Sequence, residues 1–246
     1  MNLLISGGAS YIGSWLVPHL LAEGHKVTVY DTQWFGDGAM PDNGSLTVIK
    51  ADIRTITRKT CIGMDAVINL AGITSDELCR KNRTLAISIN VDGAMMVALA
   101  AKTAGVKRFI LASSVAAYGS SQHDATEETR LEPTTLYAEC KTASEKMVRQ
   151  IFPRAVIVRS ASVCGYSPRQ RFDLTVNKMV HDAVKKGVIT VNGGEQKRSH
   201  IHIKDICDFY RLLLTAPKGK VAGEVFNVVS ENQSVNKTAE IVADFI

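Results

Sequence analysis

The sequence predicts an α/β protein, a doubly wound parallel sheet with helices on both faces that carries a smaller mixed α/β lobe. Three observations predict it. Short apolar runs recur at residues 3–5, 26–30, 46–49, 66–70, 108–112 and 155–158. Helical stretches lie between several of them, as parallel strands require, and a sheet covered on both faces makes its strands apolar throughout. The third is the turn Gly7-Gly8-Ala9-Ser10-Tyr11-Ile12-Gly13 directly after the first run. Strand, glycine turn and helix in that order let backbone approach a pyrophosphate at a helix N-terminus, the arrangement of a Rossmann-type dinucleotide site.

Each element follows in order. Residues 11–22 leave the turn with helical spacing, so Gly7, Ser10, Tyr11, Ile12 and Gly13 are candidates for holding a dinucleotide. Asp31 ends the second run, where a carboxylate accepts hydrogen bonds from ribose hydroxyls and repels a 2′-phosphate. No Arg stands at positions 32–36, so NAD is expected rather than NADP. Asp31 also suits the start of a turn, and its pairing with the glycine turn favours the cofactor role. Asp52-Ile53 and Leu70-Ala71-Gly72 fall where such a sheet presents loops to its ligand. The first pair would hold the adenine amine and the second stretch would admit backbone to the cofactor; ordinary loop residues are the alternative for both.

Residues 84–104 form the clearest helix, rich in Ala, Met and Leu and ended by Gly105, where a left-handed cap fits. Asn90 within it is a further cofactor candidate. A second helix covers residues 138–151, and at its start the i, i+4 spacing sets Tyr137 and Lys141 on one face. A phenol of pKa about 10 is a poor base at neutral pH, and a neighbouring ammonium favours the phenolate. Ser114 closes the fifth strand and would donate to the same oxygen of a bound alcohol or ketone. Ser114, Tyr137 and Lys141 are therefore the candidate catalytic residues, and the last two also reach the cofactor. Beyond about residue 160, Gly165, Pro168, Gly187, Gly193, Gly194, Pro217, Gly219 and Gly223 break the chain into shorter pieces. A cofactor domain over residues 1–160 and a substrate lobe over 161–246, with some chain returning to the sheet, are expected. A helix beginning near Asn236 runs to Ile246, so further chain is expected after it.

Composition narrows the function. At 246 residues, 46% hydrophobic and 22% charged, the chain supports one sizeable core. The net charge of +5 is scattered, which suits an anionic small substrate and not a nucleic acid. Cys61, Cys79, Cys140, Cys164 and Cys207 form neither a CxxC nor a Cys/His cluster, so no metal or disulfide is expected and the thiols read as reduced. Nothing precedes the first strand and no apolar run approaches bilayer length, so a cytoplasmic protein without a membrane partner is expected.

These residues resemble the extended short-chain dehydrogenase/reductase family, specifically its nucleotide-sugar epimerases and dehydratases, over nearly the whole chain. Residues 7–13 are similar to GGxGYIG, Ser113-Ser114 with Tyr118-Gly119 to SSxxxYG, Tyr137 with Lys141 to YxxxK, and residues 198–205 to RDxIHVxD. The resemblance implies a nucleotide-diphosphate sugar as substrate, contacted by Ser114, Ser162, Asn177 and Arg198, with Arg198 on the diphosphate. It also implies hydride transfer from the sugar, usually at C4, to NAD while Tyr137 takes the hydroxyl proton, and a homodimer.

Departures from the family pattern carry information. Val115 and Ala116 stand where dehydratases carry acidic residues, so elimination of water is unsupported. Ser10 replaces the middle glycine and would crowd the pyrophosphate. Ser162 replaces a common Asn. Arg169 and Arg171 either bind phosphate or a sugar carboxylate, or belong to a solvated loop. Three readings stay open: an epimerase acting through a transient 4-keto sugar, a net nucleotide-sugar oxidoreductase, and an NAD-binding protein without turnover.

Overall fold

The computed structural model describes residues 1–37, 39–120 and 124–246. The chain begins with β1 (Asn2–Ser6), α1 (Gly13–Ala22), β2 (Lys26–Asp31) and β3 (Leu46–Lys50). A 3₁₀ turn (Ile53–Thr55), α2 (Arg58–Cys61), β4 (Ala66–Asn69), α3 (Asp76–Lys81), α4 (Arg83–Ile87), a π-turn (Ser88–Gly93) and α5 (Ala94–Ala104) follow. Next come β5 (Arg108–Ser114), a 3₁₀ turn (Val115–Tyr118), α6 (Leu136–Ile151), β6 (Val156–Ser160), β7 (Ser162–Cys164) and α7 (Thr175–Lys186). The chain closes with β8 (Lys197–His202), α8 (Ile203–Thr215), α9 (Lys218–Val221), β9 (Val225–Val228), β10 (Glu231–Ser234) and α10 (Val235–Asp244).

Seven parallel strands lie in the order β3-β2-β1-β4-β5-β6-β9, so the doubly wound α/β class read from the apolar runs is the architecture found. The order reverses between β1 and β4, and a ligand crevice opens at the carboxyl ends of strands around such a reversal. The smaller mixed sheet runs β10-β8-β7, antiparallel then parallel. On one face of the main sheet Leu16, Val17 and Leu20 of α1 pack with Ile206, Tyr210 and Leu213 of α8. On the other, Val97, Ala98 and Ala101 of α5 pack with Val148 of α6. Strand β9 pairs with β6, and α8 belongs to the core beside α1, so chain after residue 160 returns to the sheet twice.

The run 84–104 departs from the expected simple helix, because a π-turn at Ser88–Gly93 interrupts it and places Asn90 in the irregular segment. Gly105 caps it at φ 79°, as read from the sequence. One expectation needs correction: the helical segment Arg83–Ala104 has 22 residues, 18 consecutive ones of them at mean hydropathy 1.6, and is long and apolar enough to cross a membrane. Half of that 18-residue stretch is buried inside the fold, where Ala86, Val97, Ala98 and Ala101 are covered by protein. The core of an α/β domain and a bilayer select the same composition, which is why the two read alike.

Candidate active site

A cleft of about 1630 Å³ opens at the carboxyl ends of the strands. Its cofactor half is built by the turn after β1. Gly7 sits at φ 76°, and a side chain there would meet the Ala71 backbone nitrogen at 2.5 Å, so only glycine lets these loops approach each other. Gly13 lies behind the turn, where a Cβ would collide with the Gly8 carbonyl. Gly7, Ser10, Tyr11 and Ile12 line the cleft; Gly13 shapes the turn from beneath. The Ser10 hydroxyl folds back to accept the Gly13 N–H at 3.3 Å, so the side chain expected to crowd a pyrophosphate is turned onto the helix start. That bond also engages one of the helix's free donors.

Asp31, the last residue of β2, accepts from the Ala9 N–H at 3.0 Å and from the Gln33 N–H at 2.7 Å. It therefore starts a turn and holds the glycine loop at once, at the edge of the cleft. Asp52 also lines the cleft, but Arg54 binds its carboxylate at 2.5 to 3.1 Å and holds it below the usual carboxylate range. Ile53, Leu70, Ala71 and Gly72 complete the wall. Asn90 does not reach the cleft. Its carboxamide accepts from the Ile73 N–H at 2.8 Å and donates to the Ile73 carbonyl at 2.9 Å, so it clamps the loop after β4 from behind.

Ser114, Tyr137 and Lys141 meet in the other half. Ser114 ends β5; Thr135 caps α6 by accepting the Ala138 N–H at 3.3 Å and so sets the start of the helix that carries the other two. The Lys141 ammonium is buried, donates to the Ala112 carbonyl at 2.7 Å, and lies 5.7 Å from the centre of the Tyr137 ring. Burial pushes the Tyr137 phenol up to about 12, against the downward pull of the Ser114 hydroxyl and the Arg171 cation. Burial brings Lys141 down to about 8, against the pull of Glu145. The expected lowering of the phenol by Lys141 is thus replaced by a rise: desolvation dominates, and the opposing effects come from Ser114 and Arg171.

From the smaller sheet, Ser162 on β7 and the exposed Arg198 on β8 face the cleft. Asn177 does not. It is buried, accepts from the Gly165 N–H at 3.0 Å, and donates to the Tyr11 hydroxyl at 3.1 Å and the Arg171 carbonyl at 3.0 Å. All its hydrogen-bonding sites face protein, so its place is under the site. Arg171, one of two arginines for which a solvated loop was the alternative, enters the cleft, held by Asp173 at 2.5 and 3.0 Å and donating to the Thr74 hydroxyl at 2.6 Å. Arg169 lies over the Phe35 ring, 3.9 Å from its centre. Glu145, buried one turn beyond Lys141 on α6, is a further residue of this region, and the four-residue spacing Tyr137, Lys141, Glu145 that marks one helical face is its sign in the sequence. Among the described residues no group of three His, Cys, Asp or Glu side chains is placed to hold a metal.

A parallel sheet with a glycine turn at its reversal, an acid at the end of β2 and a Ser-Tyr-Lys set across one cleft defines a nicotinamide-dependent enzyme of the short-chain dehydrogenase type. The chain belongs to the NAD-dependent epimerase/dehydratase family, which it matches over residues 3–228. It is similar to an uncharacterised UDP-glucose epimerase, YtcB, of Bacillus subtilis, 26% identical over 99% of this chain and 82% of the relative. It is also similar to a UDP-N-acetyl-α-D-glucosaminuronate decarboxylase of Bacillus cytotoxicus, 28% identical over 96% of this chain and 78% of the relative. Among solved structures, MoeE5 in complex with UDP-glucuronic acid and NAD superimposes with a TM-score of 0.88 at 25% identity, over 100% of this chain and 82% of that one. NAD is the cofactor. The cleft fits it, running without interruption from Asp31 and Asp52 past the start of α1 to Tyr137 and Lys141.

Proposed function

We propose that the protein is a nucleotide-sugar epimerase that inverts a hydroxyl-bearing carbon, C4 by analogy with the family pattern, through a transient keto sugar. The observation that carries this reading is the meeting of Ser114, Tyr137 and Lys141 in one cleft with Val115 and Ala116 next to Ser114. A proton-transfer set is present, and the two positions after the serine bear no carboxylate to drive loss of water.

In this reading Ser114 donates a hydrogen bond to the reacting oxygen, and Tyr137 in its phenolate form, which the Ser114 hydroxyl and the Arg171 cation favour against burial, takes its proton. Lys141 supplies positive charge beside the phenol and, through its bond to the Ala112 carbonyl, ties α6 to the end of β5. NAD, held along the cleft by the turn after β1 and by Asp31, would supply the hydride acceptor for that carbon and, once reduced, the donor for its opposite face. Proton transfer by a positioned group contributes typically 10²–10⁴-fold. Arg198 and Ser162 face the region where the nucleotide diphosphate and sugar would lie.

The test is to denature the purified protein, count released nicotinamide cofactor by mass and absorbance, and follow UDP-glucose, UDP-N-acetylglucosamine, UDP-glucuronic acid and dTDP-glucose by NMR. Interconversion of C4 epimers with no net change in NADH is expected. Stoichiometric consumption of NAD or NADH would instead support net oxidation or reduction.

A further inference from the structure

Helix α6 carries three functional side chains on one face: Tyr137, Lys141 and, one turn further, Glu145. Glu145 is buried, 4% exposed, yet three donors converge on its carboxylate. The Ser113 hydroxyl donates from β5, and Arg159 on β6 donates through Nε at 3.1 Å and Nη2 at 2.7 Å. Ser113 is the neighbour of Ser114. The network continues: Arg159 Nη1 donates to the Tyr118 hydroxyl at 2.8 Å and to the Glu127 carbonyl at 3.2 Å. Tyr118 in turn donates to Asn227 on β9 at 2.7 Å. One connected set of polar side chains therefore joins α6 to the ends of β5, β6 and β9 directly beneath the reacting groups.

A buried ion pair is weak evidence for stability, because its desolvation cost offsets much of its attraction and apolar residues of the same volume often serve as well. What apolar residues cannot supply is direction and charge. Convergent donors fix the carboxylate's position and hence the rotation of α6, and its negative charge, one helical turn beyond Lys141, favours the charged form of that buried ammonium. The other titratable or charged groups around that ammonium are Tyr137 and Cys140 on the same helix, Cys79 on α3 and, through its pair with Glu145, Arg159 on β6.

We propose that Glu145 is a positioning residue, locking the helix that bears Tyr137 and Lys141 to the strand end that bears Ser114 and holding the Lys141 ammonium charged. The inference rests on the proton-transfer roles proposed above for Tyr137 and Lys141. Glu145 touches neither substrate nor cofactor; it acts through Lys141 and Ser113.

The test uses the full chain, with lysine Cε labelled by ¹³C and the Lys141 resonance assigned by its loss in Lys141→Arg. Glu145→Gln leaves Arg159 without its partner and is prone to misfold, so Glu145→Gln/Arg159→Met, which removes both buried charges, is measured beside it. The double variant is expected to fold, and its Lys141 titration midpoint to fall, by less than in Glu145→Gln because the Arg159 cation beyond the carboxylate is removed with it. With whichever of UDP-glucose, UDP-N-acetylglucosamine or UDP-glucuronic acid the wild type converts, kcat is expected to fall about tenfold or more with KM unchanged. An unchanged Lys141 titration in a folded double variant overturns the proposal and leaves the pair a packing element. Tyr137→Phe runs in parallel: full turnover there removes the catalytic reading, while the Lys141 titration, measured without substrate, still decides the role of Glu145.

Discussion

The amide of Asn177 donates to the hydroxyl of Tyr11 at 3.1 Å, joining the glycine turn to α7, the first helix after residue 160. The same hydroxyl donates to the Gly165 carbonyl at 2.7 Å. Around it Ser14 and Ser167 bond at 2.8 Å, and Ser167 donates to the Tyr11 carbonyl at 2.7 Å. The start of α1 and residues 165–177 are thus one hydrogen-bonded unit, and the cofactor wall and substrate wall share their foundation.

Replacing Asn177 should therefore act on stability first. Asn177→Leu strands the Gly165 N–H and the Arg171 carbonyl inside protein, at a cost of about 2–4 kcal/mol. Thermal or urea denaturation reads that loss. Arg198→Ala, at an exposed position in the cleft, should do the reverse, leaving stability unchanged and raising KM for a sugar nucleotide about tenfold. A stable Asn177→Leu with a raised KM would restore Asn177 as a substrate contact.

Ser10 offers a gain-of-affinity test. Its hydroxyl engages the Gly13 N–H, one of the donors that an anion at the start of α1 would use. Ser10→Gly frees that donor at a cost in helix capping of only a few tenths of a kcal/mol. One hydrogen bond is worth about 0.5–1.5 kcal/mol, so the NAD dissociation constant should fall about two- to tenfold, as calorimetry would show. An unchanged constant would mean that the hydroxyl rotates away on binding.

Tyr137→Phe tests the chemistry. The ring's packing survives and the proton acceptor is lost, so kcat should fall about 10²–10⁴-fold while sugar-nucleotide KM changes little. Steady-state turnover of an accepted sugar nucleotide decides it, and retained turnover would move the base to another group.

The sheet and the reacting groups were legible because their signals are local. A glycine turn after an apolar strand, an acid at the end of β2, and a Tyr and Lys four residues apart are each written within a few residues. The places of Asn177 and Asn90 were not, because an amide's direction is decided by partners elsewhere in the chain: Tyr11, 166 residues away, for one, and the Ile73 backbone for the other. Strand β9 was not among the apolar runs read from the sequence, because its place in the main sheet is set by pairing with β6 across residues 161–224. The shift of Tyr137 was misread for the same reason. The i, i+4 neighbour is visible in sequence, whereas burial belongs to the assembled cleft.

Lys141 gives a prediction with a pH signature. Burial lowers its pKa from 10.5 to about 8 in the folded protein. Below pH 8 the lysine is charged in both states, and the folded state bears the full cost of burying that charge. Between pH 8 and 10.5 the folded protein has released the proton that the unfolded chain still binds, so this group's contribution to stability rises with pH across that window. Above it both states are neutral and the cost is gone. Lys141→Met carries no charge at any pH. Its stability relative to wild type should therefore be greatest near pH 7, shrink steadily from pH 8 to 10.5, and level off beyond. Loss of the bond to the Ala112 carbonyl displaces the whole comparison without changing that slope. Denaturation of both proteins at pH 7, 9 and 10.5 reads it directly, and a difference that stays constant across the three would show that the buried amine carries no such cost.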